Sequence, residues 1–208
     1  MSGAMKPFIR ETGIAAPIEG RNIDTDQIIP ARFLKADRGK GYGPFLFHDL
    51  RFDGEGAERA DFVLNREPFR RAAILVTDDN FGCGSSREGA VYALRDFGIR
   101  AVLAPSFGDI FHANCLKNAV VPVHLGEEVV AGLRRRLADG PERDITVDLD
   151  TLRVTLPGGE CYGFDLAPFW RECLMKGVDE IALTLGHLRE IEAFEQDYAA
   201  AYPWARAL

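Results

Sequence analysis

The sequence predicts an α/β fold, a mixed sheet flanked by helices with further helices at the C-terminus, and three observations carry that prediction. Between Ala72 and Leu137, short apolar runs alternate with amphipathic stretches of helical period. Between Asp144 and Phe164, apolar and polar residues alternate in short runs separated by turn residues. From Pro168 onward, apolar residues recur at helical spacing again. Strand–helix–strand alternation builds parallel neighbours, hairpins build antiparallel ones, and the two together give a mixed sheet. With 208 residues the chain reads as a single domain, 1–208, in which residues from about 166 to 208 form a helical extension.

Taken in order, Asn22–Pro30 crowds polar residues ahead of Ile28-Ile29 and closes on proline, which predicts a loop holding a short helical turn. Ala31–His48 contains Gly39, Gly41 and Gly43 followed by Pro44, the composition of a mobile loop. That loop carries Arg32, Lys35, Arg38 and Lys40 against Asp37, in a chain of formal net charge -7. A solvated loop accounts for this local positive charge, and so does a lid that meets an anionic ligand; both readings stay open. Ala72–Val76 is a buried strand, Asp79–Ser86 a glycine-rich loop, and Arg87–Phe97 a helix with Ala90, Val91, Leu94 and Phe97 on one face. Gly98 is placed to stop it. Ile99–Ala104 is the next strand, Ser106–Asn118 a helix with Ser106 as N-cap, Val120–Leu125 a third strand and Glu127–Leu137 a charged helix. A hairpin turns at Asp150-Thr151, and Gly158-Gly159 turns into Cys161–Phe164. Two helices end the chain, Pro168–Lys176 and Asp179 to about Ala200. The apolar stripe Ile181, Leu185, Leu188 and Ile191 on the second is expected in the core or at an interface.

Composition excludes several classes of function. A net charge of -7 argues against a broad nucleic-acid surface. No apolar run approaches the roughly 18 residues that span a bilayer. The N-terminal MSGAMKPFIR lacks an apolar h-region, so no signal peptide is expected, and a cytoplasmic protein is. Cys83, Cys115, Cys161 and Cys173 show no CxxC spacing and are expected as reduced thiols, neither zinc ribbon nor iron–sulfur ligands. His112 and Cys115 sit three apart on a helix, the spacing of two metal ligands, but no third ligand stands near them. His48, His124 and His187 are expected to be structural, and Asp78-Asp79 to be turn residues.

The chemistry concentrates in Gly82-Cys83-Gly84-Ser85-Ser86-Arg87-Glu88, where a strand, a glycine-rich loop and a helix meet. The first N–H groups of a helix are unpaired and the helix dipole is positive at that end. Glycines admit a ligand to the backbone, and two hydroxyls and a guanidinium complete a cradle for a carboxylate or phosphate. A phosphate-binding GxxxxGK[ST] loop is excluded because no lysine sits here, a GxGxxG dinucleotide loop because Arg87 stands at the third glycine, and a GxSxG hydrolase elbow because Gly84-Ser85-Ser86 does not supply it.

The run Asp79–Glu88 resembles the signature of the swivelling domain of the aconitase family, and within it the free-standing small subunits of the isopropylmalate isomerases. Agreement continues through Ala104–Phe111 with Asn114, Asn22–Pro30, and Gly177–Leu185, and together spans about Asn22 to Glu195. The resemblance implies an aconitase-type swivelling β/β/α domain. It implies a hydro-lyase that isomerises 2-isopropylmalate to 3-isopropylmalate through isopropylmaleate in leucine synthesis. It implies a [4Fe-4S] cluster carried by a large subunit, with that large subunit as obligatory partner and a small dicarboxylate as substrate. Carried over by position, Ser85 is the base that takes the proton from carbon. Ser86, Arg87 and Gly84 hold a substrate carboxylate, and Asp26 orients a catalytic or binding group. Arg32 lies in the segment that supplies another substrate arginine. The family's usual histidine after Ser-Ser-Arg-Glu is Gly89 here. That departure keeps alive a related hydro-lyase acting on citraconate, homoaconitate or dimethylmaleate. A non-enzymatic carboxylate- or protein-binding role is a third reading, against which the intact Ser85-Ser86-Arg87 argues.

Overall fold

The computed structural model describes residues 5–205; residues 1–4 and 206–208, the ends of the expected 1–208 domain, lie outside the described residues. The chain runs β1 (Arg10–Pro17), α1 (Thr25–Ile28), α2 (His48–Arg51), β2 (Ile74–Val76), α3 (Glu88–Phe97), β3 (Ala101–Ala104), α4 (Asp109–Lys117), β4 (Val121–His124), α5 (Glu127–Asp139), β5 (Asp144–Asp148), β6 (Arg153–Thr155), β7 (Cys161–Gly163), α6 (Pro168–Lys176), α7 (Glu180–Leu185) and α8 (Leu188–Ala201). The strands form one sheet in the order β4-β3-β2-β1-β5-β6-β7. β1 to β4 pair in parallel, and β1, β5, β6 and β7 pair antiparallel.

Parallel strands covered by helices on both faces are buried on both sides, and the residues divide accordingly. In β2, Leu75 enters one apolar cluster while Ile74 and Val76 enter the other. In β3, Val102 and Ala104 join the first and Ala101 and Leu103 the second. The first cluster packs the sheet against α3 and the 31–48 segment, through Ala90, Val91, Leu94, Tyr42, Leu46 and Phe47. The second packs it against α5 and α6, through Val130, Leu133, Leu137 and Leu174. α3 ends where expected: Gly98, at φ +118°, donates its N–H to the Leu94 and Arg95 carbonyls, a left-handed cap.

The structure differs from the sequence-based expectations in several places. β1 has no counterpart among them, because its sequence, RETGIAAP, is made of small and polar residues rather than a β-branched run. Its smallness is required: a Cβ on Gly13 would stand 2.8 Å from the Ala73 Cβ. Ser106 is not a helix N-cap. α4 starts at Asp109 after Gly108, and the Ser106 hydroxyl instead accepts from the Asn80 N–H at 2.8 Å and donates to Asp79. The expected helix from Asp179 to Ala200 is two helices, α7 and α8, parted at Gly186-His187, where glycine has little helix propensity. The stripe on it is not core: Ile181 is 71% exposed, Leu185 57% and Leu188 45%. Ala31–His48, expected as a mobile loop, is built from three 3₁₀ turns, Ala31–Lys35, Arg38–Lys40 and Gly43–Phe45, and is folded onto α3.

Candidate active site

The glycine-rich loop leaves the carboxyl end of β2, where open α/β sheets bind ligands. Two other segments hold it through backbone bonds on either side. The Gly82 N–H donates to the Ile23 carbonyl at 2.7 Å, and the Thr25 N–H to the Cys83 carbonyl at 3.0 Å. On the other side the Phe81 N–H donates to the Ser106 carbonyl at 3.1 Å and the Gly108 N–H to the Phe81 carbonyl at 2.9 Å. Such close stacking of three backbones demands glycine. Gly82 has φ +73°, and a Cβ there would lie 2.2 Å from the Phe111 ring, while one on Gly108 would lie 2.6 Å from the Gly82 carbonyl oxygen. Gly82→Ala is therefore expected to cost about 3 kcal/mol, combining backbone strain with an overpacked core. The corresponding fall in Tm, roughly 10 °C, is measurable by thermal denaturation.

α1 carries the second half of the site. Asp24 is its N-cap: the side chain accepts from the Gln27 N–H at 2.8 Å, and Gln27 returns a bond from the Asp24 N–H at 3.0 Å, a complete capping box. The cap frees the next acid, Asp26, to face the loop. Asp26 pairs with Arg87 and accepts the Ala31 N–H at 3.1 Å. The Arg87 guanidinium, and after it the Ala31 N–H, hold the Asp26 carboxyl below the usual carboxylate range, so it is ionised. Arg87 is the N-cap residue of α3 rather than its first helical residue. Its extended backbone turns the guanidinium back over α1, where the side chain is 17% exposed against 54% for Asp26. Its Nη1 is taken by the ion pair with Asp26, and among the described residues its Nε and Nη2 have no hydrogen-bond acceptor. Arg87 thus has donor capacity that the chain does not fill.

Thr25 donates its hydroxyl to the Ser85 carbonyl at 3.0 Å, fixing the loop where the sequence reading had assigned no role to Thr25. Gly84 sits at φ +87° with only Asp24 Cβ and Thr25 Oγ1 near its missing Cβ, so it is needed for its backbone conformation. Ser85 and Ser86 are exposed, and among the described residues neither hydroxyl has a partner. Ser85, Ser86, Arg87, Gly84 and Asp26 are brought together. Arg32 is placed differently: it lines an open groove with Asp24, Asp26 and Pro30, but its guanidinium is held by Asp49, one bond being 2.8 Å, and lies over the Phe33 ring. Arg32 in turn drives the Asp49 carboxyl down to about 2. Nothing in the sequence around Asp49 marked it as this partner.

The other candidates separate from the site. His112 packs its ring against Phe107 and His124, and burial lowers its pKa. Cys115 is fully buried with its thiol pushed well up. Asp78 pairs with Arg134, and Asp79 with Arg21.

Residues 5–128 match the aconitase C-terminal domain family, and residues 180–207 match the C-terminal domain of the 3-isopropylmalate dehydratase small subunit. The chain is 50% identical over 200 residues to the 3-isopropylmalate dehydratase small subunit of Roseobacter denitrificans, covering 96% of this chain and 100% of that one. It belongs to the 3-isopropylmalate dehydratase small-subunit family. The same subunit of Rhodospirillum centenum is 51% identical over 201 residues, 97% of this chain and 99% of that one. The crystal structure of a 3-isopropylmalate dehydratase from Methanocaldococcus jannaschii superposes with a TM-score of 0.62 at 22% identity, covering 91% of this chain and 99% of that one. The fold is therefore the aconitase-type swivelling domain, as the resemblance implied.

The cluster that the family implies does not fit this chain's side chains. Among the described residues no three His, Cys, Asp or Glu side chains converge as a metal site. Cys83, Cys115 and Cys173 all have thiols pushed up by burial, the reverse of what a thiolate ligand needs. No helix among the described residues is long and apolar enough to cross a membrane.

Proposed function

We propose that this chain is the substrate-holding and proton-moving half of a 3-isopropylmalate dehydratase, and that it works only when joined to a large subunit that binds the [4Fe-4S] cluster. The reading rests on one observation: Ser85, Ser86 and Arg87 stand together at the start of α3, and among the described residues the two hydroxyls and the guanidinium nitrogens not facing Asp26 have no partner. Arg87 and Ser86 take a substrate carboxylate, the guanidinium through parallel N–H bonds. Ser85 Oγ, as an alkoxide, removes the proton from the carbon beside that carboxylate. The hydroxide on the neighbouring carbon departs, assisted by the Lewis acid that the large subunit's cluster would supply, and together with the proton from Ser85 makes one water, leaving isopropylmaleate and the serine ready again. Water then adds with opposite regiochemistry. A serine is a base only where its anion is stabilised, and the positive end of α3 together with Arg87 supplies that stabilisation. Asp26 orients Arg87, and Gly84 keeps the loop backbone open to the ligand. Arg32, at the rim of the Asp26 groove, is available to a second carboxylate once released from Asp49. The whole chain acts as one domain, with the helices after about residue 166 as its extension, in the cytoplasm and without nucleic-acid or membrane partners.

A second reading, a related hydro-lyase acting on citraconate, homoaconitate or dimethylmaleate, draws on Gly89. That position is buried and walled by Leu34 and Tyr42, so the surroundings of Arg87 differ from those a histidine would give. Anaerobic mixing with the large subunit and its reconstituted cluster tests both. Loss of isopropylmaleate absorbance that requires both chains is the expected result. Turnover of citraconate or cis-homoaconitate instead would move the substrate, and no turnover of any of them in a formed, cluster-loaded complex would end the enzymatic reading.

A further inference from the structure

The basic 31–42 segment is fastened to the start of α3 at two points. At its base, the Ala31 N–H is held by Asp26, which is itself paired with Arg87. One turn along, Leu34 lies in the notch left by the missing side chain of Gly89: a Cβ there would come within 2.5 Å of Leu34 Cδ2 and 3.6 Å of the Tyr42 ring. Gly89 is buried and has an ordinary helical backbone, with no positive φ. Its glycine is thus explained by space, not by conformation. Tyr42 completes the seat, donating its hydroxyl to the Leu34 and Ala36 carbonyls at 3.2 Å each. Farther down the helix, Asp96 accepts the Tyr42 N–H at 2.7 Å and pairs with Arg38. Arg87 and Gly89 are two residues apart on the chain, so whatever holds Leu34 on Gly89 also fixes where the segment's cations lie relative to the guanidinium.

We propose that Leu34 and Gly89 form a knob-and-notch latch that positions the 31–42 segment beside Arg87, making both residues positioning residues for the bound carboxylate. The functional half of this inference rests on the reading given above; the latch itself does not. Gly89→Ala is the informative variant. The added methyl meets only the far end of a flexible side chain, so Leu34 swings out and the helix stays. Alanine is also the better helix former, so Tm holds or rises. A site that is competent only while the segment is seated loses apparent affinity by the fraction unseated, so about one molecule in ten remaining latched raises KM roughly tenfold. The kcat, set by Ser85, changes little.

The experiment uses the full chain, free and in complex with the large subunit. Trypsin cleavage after Arg38 and Lys40 is followed by mass spectrometry, alongside Tm, KM and kcat. Gly89→Ala should speed those two cleavages by the ratio of unseated fractions, at least roughly ninefold from a parent nine-tenths or more seated, at unchanged or higher Tm. The double variant Leu34→Ala/Gly89→Ala, which removes the colliding atoms, should move both readouts back toward the parent. Unchanged cleavage in Gly89→Ala, or a double variant no better than the single, overturns the latch. A lowered Tm that accounts for the faster cleavage overturns it too. If cleavage responds and is rescued while even the parent complex turns over no substrate, the latch stands and the isomerase reading fails.

Discussion

Ser85→Ala in the assembled two-subunit enzyme is expected to lower kcat by about 10²- to 10⁴-fold, the usual worth of a positioned proton-transfer group, while KM stays within a few-fold. The split follows from where Ser85 sits. Its carbonyl, not its hydroxyl, is what ties it to the fold, through Thr25 Oγ1 at 3.0 Å. Removing an exposed, unpartnered hydroxyl therefore leaves the loop in place, and Tm should not move. Carboxylate binding by Arg87 and Ser86 also survives. Steady-state kinetics on isopropylmaleate, with Tm as control, checks the prediction. A parent-like kcat in the complex would show that the base lies elsewhere and would restore the non-enzymatic reading of this domain.

Arg87→Ala carries the second large effect, and it should fall on kcat/KM, because it removes both the anchor of the carboxylate and part of what stabilises the Ser85 anion. A guanidinium that makes two charge-assisted bonds to a carboxylate, each worth about 1.5–3 kcal/mol, loses kcat/KM by roughly 10²- to 10⁴-fold when removed. Arg87→Lys should recover only a small part, because an ammonium is a point charge without the planar fork. Asp26→Ala separates this role from a structural one. Asp26 is more than half exposed, so its ion pair with Arg87 adds little stability. Losing it unties Arg87 and Ala31 but leaves the guanidinium able to bind. Its deficit should be much smaller than that of Arg87→Ala, as measured by kcat/KM of the three variants side by side. Equal losses in Arg87→Ala and Asp26→Ala would mean that the pair only braces the loop.

Much of this was legible in the sequence, for identifiable reasons. The elements from Ala72 to Leu137 are set by local signals: apolar runs buried on both faces, one-sided helical stripes, and Gly98 in a left-handed cap. The loop at Gly82–Arg87 was legible because its glycines and its charge are needed for a shape that few other residues allow. What was not legible depends on contacts across long separations. β1 is specified by the Ala73, Ile74 and Asp144–Asp148 neighbours it pairs with, not by its own propensity. Ser106 is diverted from capping by Asn80 and Asp79, 26 and 27 residues earlier in the chain. Gly89 read as a loss of imidazole, since the residue that fills its space, Leu34, lies on another segment. Arg32 read as free positive charge for the same reason, with Asp49 unseen opposite it.

The split pairing of β1 has a consequence for synthesis. Its second half, from Ala15, lies against β2, but its first half, Arg10 to Ile14, pairs only with β5, Asp148 to Asp144. A nascent chain can assemble the half-sheet that bears Ser85 and Arg87 as soon as β2, β3 and β4 leave the ribosome. The outer edge of β1 then stays bare until Asp148 follows, a few seconds later at ordinary elongation rates of about 5–20 residues per second. An unpaired strand edge is a template for other chains. Products that terminate between β4 and β5 therefore carry an assembled carboxylate site on a molecule whose N-terminal strand still recruits neighbours, and they should accumulate as aggregates rather than as a smaller working subunit.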